Sequence, residues 1–259
     1  MGIMDIEHIK AGYGKELIID DVSFSLESKE FTALLGLNGA GKTTLLKVIC
    51  GLLEPGAGQC LINGMDINNL TVKERARHIS FMPQRHSIVY DTKVIEVVLT
   101  GITPYLRIFD TPNKDQRRLA RETLKKIGME KYADDNFLHL SEGQKQLIII
   151  ARNLMQDSDV MLFDEPDNAL DFNNSHMVLY KIREIVKNEN KLGLITLHDP
   201  NIALNYCDRI IILKDKKKFA DFYATEVSNK FFKDIFNKIY DGIEIIKHKD
   251  KYIMVKNTA

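Results

Sequence analysis

One stretch constrains this chain more than any other: FTALLGLNGAGKTTLLKVICGLL, Phe31 to Leu53. Its opening run is apolar throughout instead of alternating, the pattern of a strand covered on both faces, as in a parallel sheet. It passes straight into a glycine loop and then a leucine-rich helix. Gly36, Gly41, Lys42 and Thr43 have the spacing G-x-x-x-x-G-K-[ST], in which a curled backbone aims N–H groups at phosphate oxygens ahead of a helix N-terminus. Asn38, Gly39, Ala40, Gly41 and Thr44 would line that cradle. Lys42 would bring its charge to the β and γ phosphates, and Thr43 its hydroxyl to Mg²⁺. Such a spacing can arise by chance in a turn, but the flanking strand and helix are context that chance does not supply. The predicted class is α/β with a mostly parallel sheet.

Two further apolar runs deliver polar groups to the same sheet edge. VMLFDEP, Val160 to Pro166, ends in Asp164 and Glu165, and LGLITLHD carries His198 just past its strand. Ligands of parallel sheets bind at the carboxyl ends of strands. Asp164 would hold the metal's shell, and Glu165 would orient or deprotonate an attacking water. Alone, an Asp-Glu pair after a strand is a solvated turn, and a single His there is a structural residue. A phosphate loop in the same chain shifts both readings toward chemistry.

A third polar feature is HLSEGQKQLIIIARNLM, His139 to Met155. Ser141 and Gln144 have capping-box spacing, and Leu147, Ala151 and Leu154 recur at helical intervals, so a helix starts at Ser141. Capping alone would tolerate Asp at Gly143, since acids suit a helix's first turn. A glycine at that start also leaves N–H groups bare for an anion.

Composition narrows the class. Lysine plus arginine balance aspartate plus glutamate at 36 each, so no global field draws the chain to nucleic acid or an anionic membrane. The three cysteines lack metal-ligand spacing and read as buried thiols. MGIMDIEHIK alternates like a strand and has neither a secretory apolar core nor a myristoylation hydroxyl. No apolar run approaches the ~20 residues needed to span a bilayer.

Taken together, GLNGAGKTT, MPQ ending in Gln84, LSEGQ, VMLFDEP, NALD and TLHD resemble the ATPase subunit of an ABC transporter, over a span from Tyr13 to about Leu213. The resemblance implies a P-loop ATPase core with a mostly parallel sheet, an N-terminal antiparallel β subdomain and an inserted helical subdomain. It implies ATP and Mg²⁺ as cofactors and a head-to-tail homodimer. In that dimer Ser141 and Gly143, with Gln144 beside them, would bind the γ phosphate of ATP held by the other copy. By the same resemblance Tyr13 would stack on adenine, Gln84 would touch Mg²⁺ and the attacking water, Asp171 would communicate across the dimer, and His198 would contact the γ phosphate. Tyr13 also fits a strand-end residue packed on the sheet. Glu142 and Asp167 depart from the pattern. Each adds a carboxylate near the expected triphosphate, and Asp167 lies two residues from Glu165.

Expected boundaries are 1–88 for the β strands and phosphate-loop half, 89–157 for the helical subdomain, 158–218 for the second half of the core, and 219–259 for a small C-terminal appendage. In the helical part, Pro104 would end or kink a helix, Tyr105 to Phe109 form an exposed aromatic turn, and Leu119, Leu124 and Ile127 mark the apolar face of a second helix. GITPYLRIF and HDPNIALNYCD resemble importer ATPases serving iron–siderophore, haem or cobalamin permeases. That implies an integral membrane permease as partner, a substrate-binding protein acting indirectly, no nucleic acid, and a peripheral location on the cytoplasmic face of the membrane. A single-cassette assembly ATPase, as for iron–sulfur clusters, stays open as the alternative.

Overall fold

The computed structural model describes residues 3–84, 88, 90–107, 109–225, 228–240, 242–248 and 251–256. In chain order its first half comprises β1 (Ile3–Tyr13), β2 (Glu16–Glu27), β3 (Phe31–Leu35), α1 (Lys42–Ile49), β4 (Ala57–Ile62), β5 (Met65–Asp66), α2 (Val72–His78), β6 (Ile79–Met82), α3 (Val94–Leu99) and α4 (Lys114–Lys126). The second half comprises α5 (Glu142–Met155), β7 (Val160–Asp164), α6 (Phe172–Asn188), β8 (Leu192–Thr196), α7 (Pro200–Tyr206), β9 (Arg209–Lys214), β10 (Lys217–Tyr223), α8 (Asn229–Phe236), β11 (Ile243–His248) and β12 (Lys251–Lys256).

A sheet of order β10-β9-β3-β8-β7-β6 forms the centre. It is parallel except for the edge strand β10. Alternate residues of β3 explain its unbroken apolar run: Phe31, Ala33 and Leu35 face a core shared with α3, α5 and α6, while Leu34 faces a second core with α1 and the N-terminal strands. That N-terminal sheet is antiparallel, of order β2-β1-β4-β5. Bulges between Ile6 and Ala11 shift its register, and Asp21 takes a φ of 62°. The buried set on β2 therefore skips from Ile19 to Val22 before resuming alternation at Phe24 and Leu26.

Helices α3, α4 and α5 pack together on one side of the sheet. On α4 the buried stripe is Ala120, Thr123 and Leu124, continued by Ile127, whereas Leu119 is 48% exposed. The expected apolar face was thus one residue off at Leu119, which lies about 100° around the helix from Ala120. The chain tightens into 3-10 geometry at Thr100, ahead of Pro104, which sits inside that 3-10 turn. Tyr105 and Phe109 are exposed; Ile108 lies outside the described residues.

The boundary expected at 218/219 falls inside β10, so the appendage begins past Tyr223. It consists of α8 and the antiparallel hairpin β11–β12. Phe232 and Phe236 are fully buried against Phe222 of β10, edge to face. No helix among the described residues is long and apolar enough to cross a membrane.

Candidate functional site

Strands β3, β7 and β8 run parallel and in register, so the residues following each emerge at one edge. After β3 the loop enters α1 through Gly41, whose φ of 97° suits glycine. A Cβ there would stand 2.5 Å from Ile19 Cδ1. No side chain caps α1, which leaves its first N–H groups and the positive end of its dipole to the loop. Lys42 is 5% exposed. Its ammonium donates to the Gly36 carbonyl at 2.9 Å and more weakly to that of Leu37 at 3.5 Å. Burial pulls Lys42 below the usual lysine value, and the Glu165 and Asp164 carboxylates oppose that pull.

Asp164, buried at the end of β7, accepts at Oδ1 from Thr43 Oγ1 (3.1 Å) and Thr196 Oγ1 (2.8 Å). The same Thr196 oxygen accepts from the Glu165 N–H at 2.9 Å. One hydroxyl thereby links both acids, and it does so where Glu165 turns into the left-handed region at φ 49°. The Glu165 carboxylate collects three side chains: His198 Nε2 meets Oε1, while Gln84 Nε2 and, at 3.4 Å, Asn168 Nδ2 donate to Oε2. Burial pushes the neighbouring Asp167 carboxyl up; its own backbone N–H and His198 oppose this, and Glu165 and Asp199 add to it.

These groups border a cleft of about 240 Å³ lined by Tyr13, Ile18, residues 38–44, Glu165 and His198. Tyr13 is 48% exposed, with the Lys47 ammonium 5.9 Å from its ring centroid. It presents its ring to the cleft instead of packing it away. Gln84 reaches the site through Glu165.

Ser141, Gly143, Gln144 and Asp171 are outside that lining and form a second cluster. Ser141 Oγ accepts from the Gln144 N–H (3.3 Å) and Gln144 Oε1 from the Ser141 N–H (2.9 Å), a complete capping box at the start of α5. Glu142 pairs with Lys145 at 2.8 Å. Asp171 caps α6, accepting from Asn174 N and Asn174 Nδ2, both at 2.8 Å. Gln146 ties α5 to the segment after Glu165 by donating to the Pro166 carbonyl at 2.6 Å.

The sequence reading passed over Thr196, Asn168 and Asn174. For Thr196 a signal existed, since it is the one polar side chain in LGLITL. The other two bond to an acid three residues earlier, Asn168 to Glu165 and Asn174 to Asp171.

The chemistry of the donors suits a nucleotide with a hard divalent cation. Bare helix N–H groups and a buried ammonium fit phosphate, and the Thr43 hydroxyl, Asp164 carboxylate and Gln84 amide offer oxygen to Mg²⁺, which keeps much of its shell in water and phosphate oxygens. Among the described residues no group of three or more His, Cys, Asp or Glu could hold a metal ion.

Comparison with known proteins agrees with this geometry. A family model described as ABC transporter matches residues 19–168. A probable iron chelatin transport ATP-binding protein of Helicobacter pylori is 31% identical over 254 residues, covering 97% of this chain and 98% of the relative. A hemin import ATP-binding protein of Vibrio parahaemolyticus is 34% identical over 224 residues, 85% of this chain and 84% of the relative. Among solved structures, a dimeric ATP-binding cassette in a post-hydrolysis state bound to ADP and Pi superposes with a TM-score of 0.73 at 26% identity, covering 86% of this chain and 100% of that one.

Proposed function

The chain belongs to the ABC transporter family as an ATP-binding, ATP-hydrolysing subunit, and on that premise we propose that it drives uptake of a metal chelate, an iron–siderophore, haem or cobalamin, through a membrane permease. The transport names carried by its relatives support the substrate class.

One observation carries the mechanism: the cleft holds Tyr13, the phosphate loop, Glu165 and His198, but neither Ser141 nor Gly143. A second copy turned head to tail supplies the missing cluster, so two chains complete two sites. Within each, Lys42 and the N–H groups of residues 38–44 hold the phosphates, and Tyr13 stacks on the base. Thr43, Asp164 and Gln84 hold Mg²⁺, which when bound neutralises phosphate charge. Glu165 takes the proton of the attacking water, oriented by Gln84 and His198. Ser141, Gly143 and Gln144 close the site from the partner, and Asp171 links the two copies.

A groove of about 560 Å³ between α3 and the 100–112 segment supports a permease partner. Val97, Leu99, Leu106 and Pro112 give it apolar walls, and Arg152 faces it. The turn at Pro104–Leu106 is pinned to α2, Arg77 donating to Pro104 O at 3.3 Å and Lys73 to Leu106 O at 2.6 Å. A groove with these walls fits a short cytoplasmic helix of the permease, which would hold this subunit on the cytoplasmic face of the membrane. A substrate-binding protein would feed the permease from the other side.

Glu165→Gln tests the reading. Hydrolysis should fall by ~10²-fold or more, ATP binding should persist, and a dimer should accumulate with ATP and Mg²⁺. A variant that stays monomeric by light scattering would exclude the shared site.

A further inference from the structure

His198 is exposed; the Glu165 carboxylate meets its Nε2, and the backbone it hangs from decides where the ring is presented. That backbone is the short turn from β8 into α7. Helix α7 has seven residues, too few to be stable without tertiary support. Pro200 at its first position needs no N–H partner, and Asp199 caps it by accepting from the Asn201 N–H at 2.7 Å. Ala203 is buried in the core and the Tyr206 hydroxyl pairs with His176 of α6 at 2.6 Å, while the start of the helix, next to His198, is tied to the far end of the chain. The Asn201 side-chain amide donates to Met254 O at 3.0 Å and accepts from Met254 N at 2.7 Å. Met254 lies opposite Ile245 in the β11–β12 ladder. In an antiparallel strand the N–H and C=O of one residue point the same way, so both groups of Met254 face outward from β11. Asn201 thus pairs with the open edge of the hairpin as a neighbouring strand would. Asn205 Nδ2 donates to the Asn201 carbonyl at 2.8 Å, stiffening the same turn.

The hairpin is itself well anchored. Ile243 and Ile245 are buried in the core that contains Leu197, Ala203, Phe232 and Phe236. Tyr240, just after α8, lies within electrostatic reach of Asp199: burial pushes its phenol up and the Asp199 carboxylate adds to that. The appendage therefore grips Asn201, three residues beyond His198.

We propose that the C-terminal appendage positions His198 for hydrolysis, with Asn201 as the positioning residue and Met254 of β12 as its anchor. This rests on the reading of His198 as a group that acts on the γ phosphate.

The test uses the full-length chain. Asn201→Ala should lower kcat about tenfold, within the range expected when a reacting group is misplaced by a fraction of an ångström. KM for ATP and nucleotide affinity should stay within about twofold, because the phosphate loop is untouched. Amide exchange should quicken across 197–203 and not at 36–44. Asn201→Asp keeps size and suits a helix's first turn, yet it sets a carboxylate against the Met254 carbonyl and should give the same kcat-only loss. Added to His198→Ala, Asn201→Ala should cost nothing more, since both act through one group. If both Asn201 variants turn over at the wild-type rate while His198→Ala is inactive, the positioning role is overturned and the site reading stands. Wild-type turnover by His198→Ala overturns the site reading itself.

Discussion

Asn174 occupies the space that a side chain at Gly143 would need: a Cβ built there stands 2.7 Å from Asn174 Cγ and Oδ1. Asn174 cannot easily yield, because both carboxylate oxygens of Asp171 hold it. The starts of α5 and α6 are therefore keyed together. This revises what the Ser141–Gln144 capping box implies alone, since no residue larger than glycine fits at position 143 without displacing Asn174.

Gly143→Ala should therefore lose about 1–3 kcal/mol, the usual cost of overpacking. The double variant Gly143→Ala/Asn174→Ala should recover most of it. Chemical-denaturation midpoints check this, and a double variant no more stable than the single one would refute the contact.

Gly143→Asp should bind nucleotide as a monomer yet form no ATP-driven dimer, since its side chain displaces Asn174 and sets a carboxylate in the cluster expected to meet the γ phosphate of the other copy. Lys42→Ala should fail on the other side of the same site, losing a charge-assisted phosphate contact. Mixed together, the two proteins make one intact site per dimer. ATP-dependent dimer should return in light scattering; normal hydrolysis by Gly143→Asp alone would exclude the shared site.

Thr196→Val keeps the shape of the side chain but strips Asp164 of one donor and leaves the Glu165 N–H buried and unpaired. Stability should fall by about 1–3 kcal/mol. Turnover should fall further than nucleotide affinity, because the variant loosens the acid and not the loop. Equal losses in kcat and affinity would count against the positioning of Glu165 by Thr196.

Arg152 carries a prediction of opposite signs. Burial pulls its guanidinium below the usual arginine value, and no hydrogen bond or ion pair reaches that side chain among the described residues. Glu96, on the same groove, is committed to Arg117 at 2.6 Å. An unpaired, partly buried cation costs stability, so Arg152→Met should hold or raise the melting temperature of the isolated subunit. If the permease helix brings a carboxylate to this guanidinium, its affinity should drop about tenfold or more. A variant that binds permease normally removes Arg152 from that interface.

Asp221 predicts a pH dependence. Burial pushes its carboxyl up, but Arg209, bidentate at 2.7 and 2.9 Å, and Lys218 outweigh burial and hold it below the ordinary value. The unfolded chain then binds the proton more readily. This contribution is fully present above the unfolded value near ~4 and is lost as pH falls through the lower folded one. Asp221→Asn should be less stable at neutral pH by about 1–3 kcal/mol, since it removes the bidentate partner of Arg209 and leaves that guanidinium only Glu30 and the Ser25 carbonyl. Its melting temperature should also fall less steeply than the wild type's below about pH 4.

What the sequence made legible was local. The phosphate loop, the capping box at Ser141 and the acids ending β7 are each written within a few residues, because strand burial, helix starts and glycine turns act over that range. What it hid depends on neighbours distant along the chain. Gly143 is explained by Asn174, Asn201 by Met254, and the double role of Thr196 by the parallel register of β7 and β8. Leu119 misled because leucine content alone does not fix the phase of a helix whose buried face is completed by Ala120 and Thr123.

The central position of β3 bears on how the protein is made. Both of its hydrogen-bonded neighbours, β8 and β9, come from the far end of the core, and its first residue, Phe31, donates its N–H to Asp208, 177 residues away. On the ribosome the phosphate loop emerges early, with no strand beside β3 to pin it. Long-range pairing of this kind is slow, and the exposed strand invites wrong partners meanwhile. ATP can thus protect the nascent chain only once β8 and β9 have left the exit tunnel, long after the phosphate loop itself.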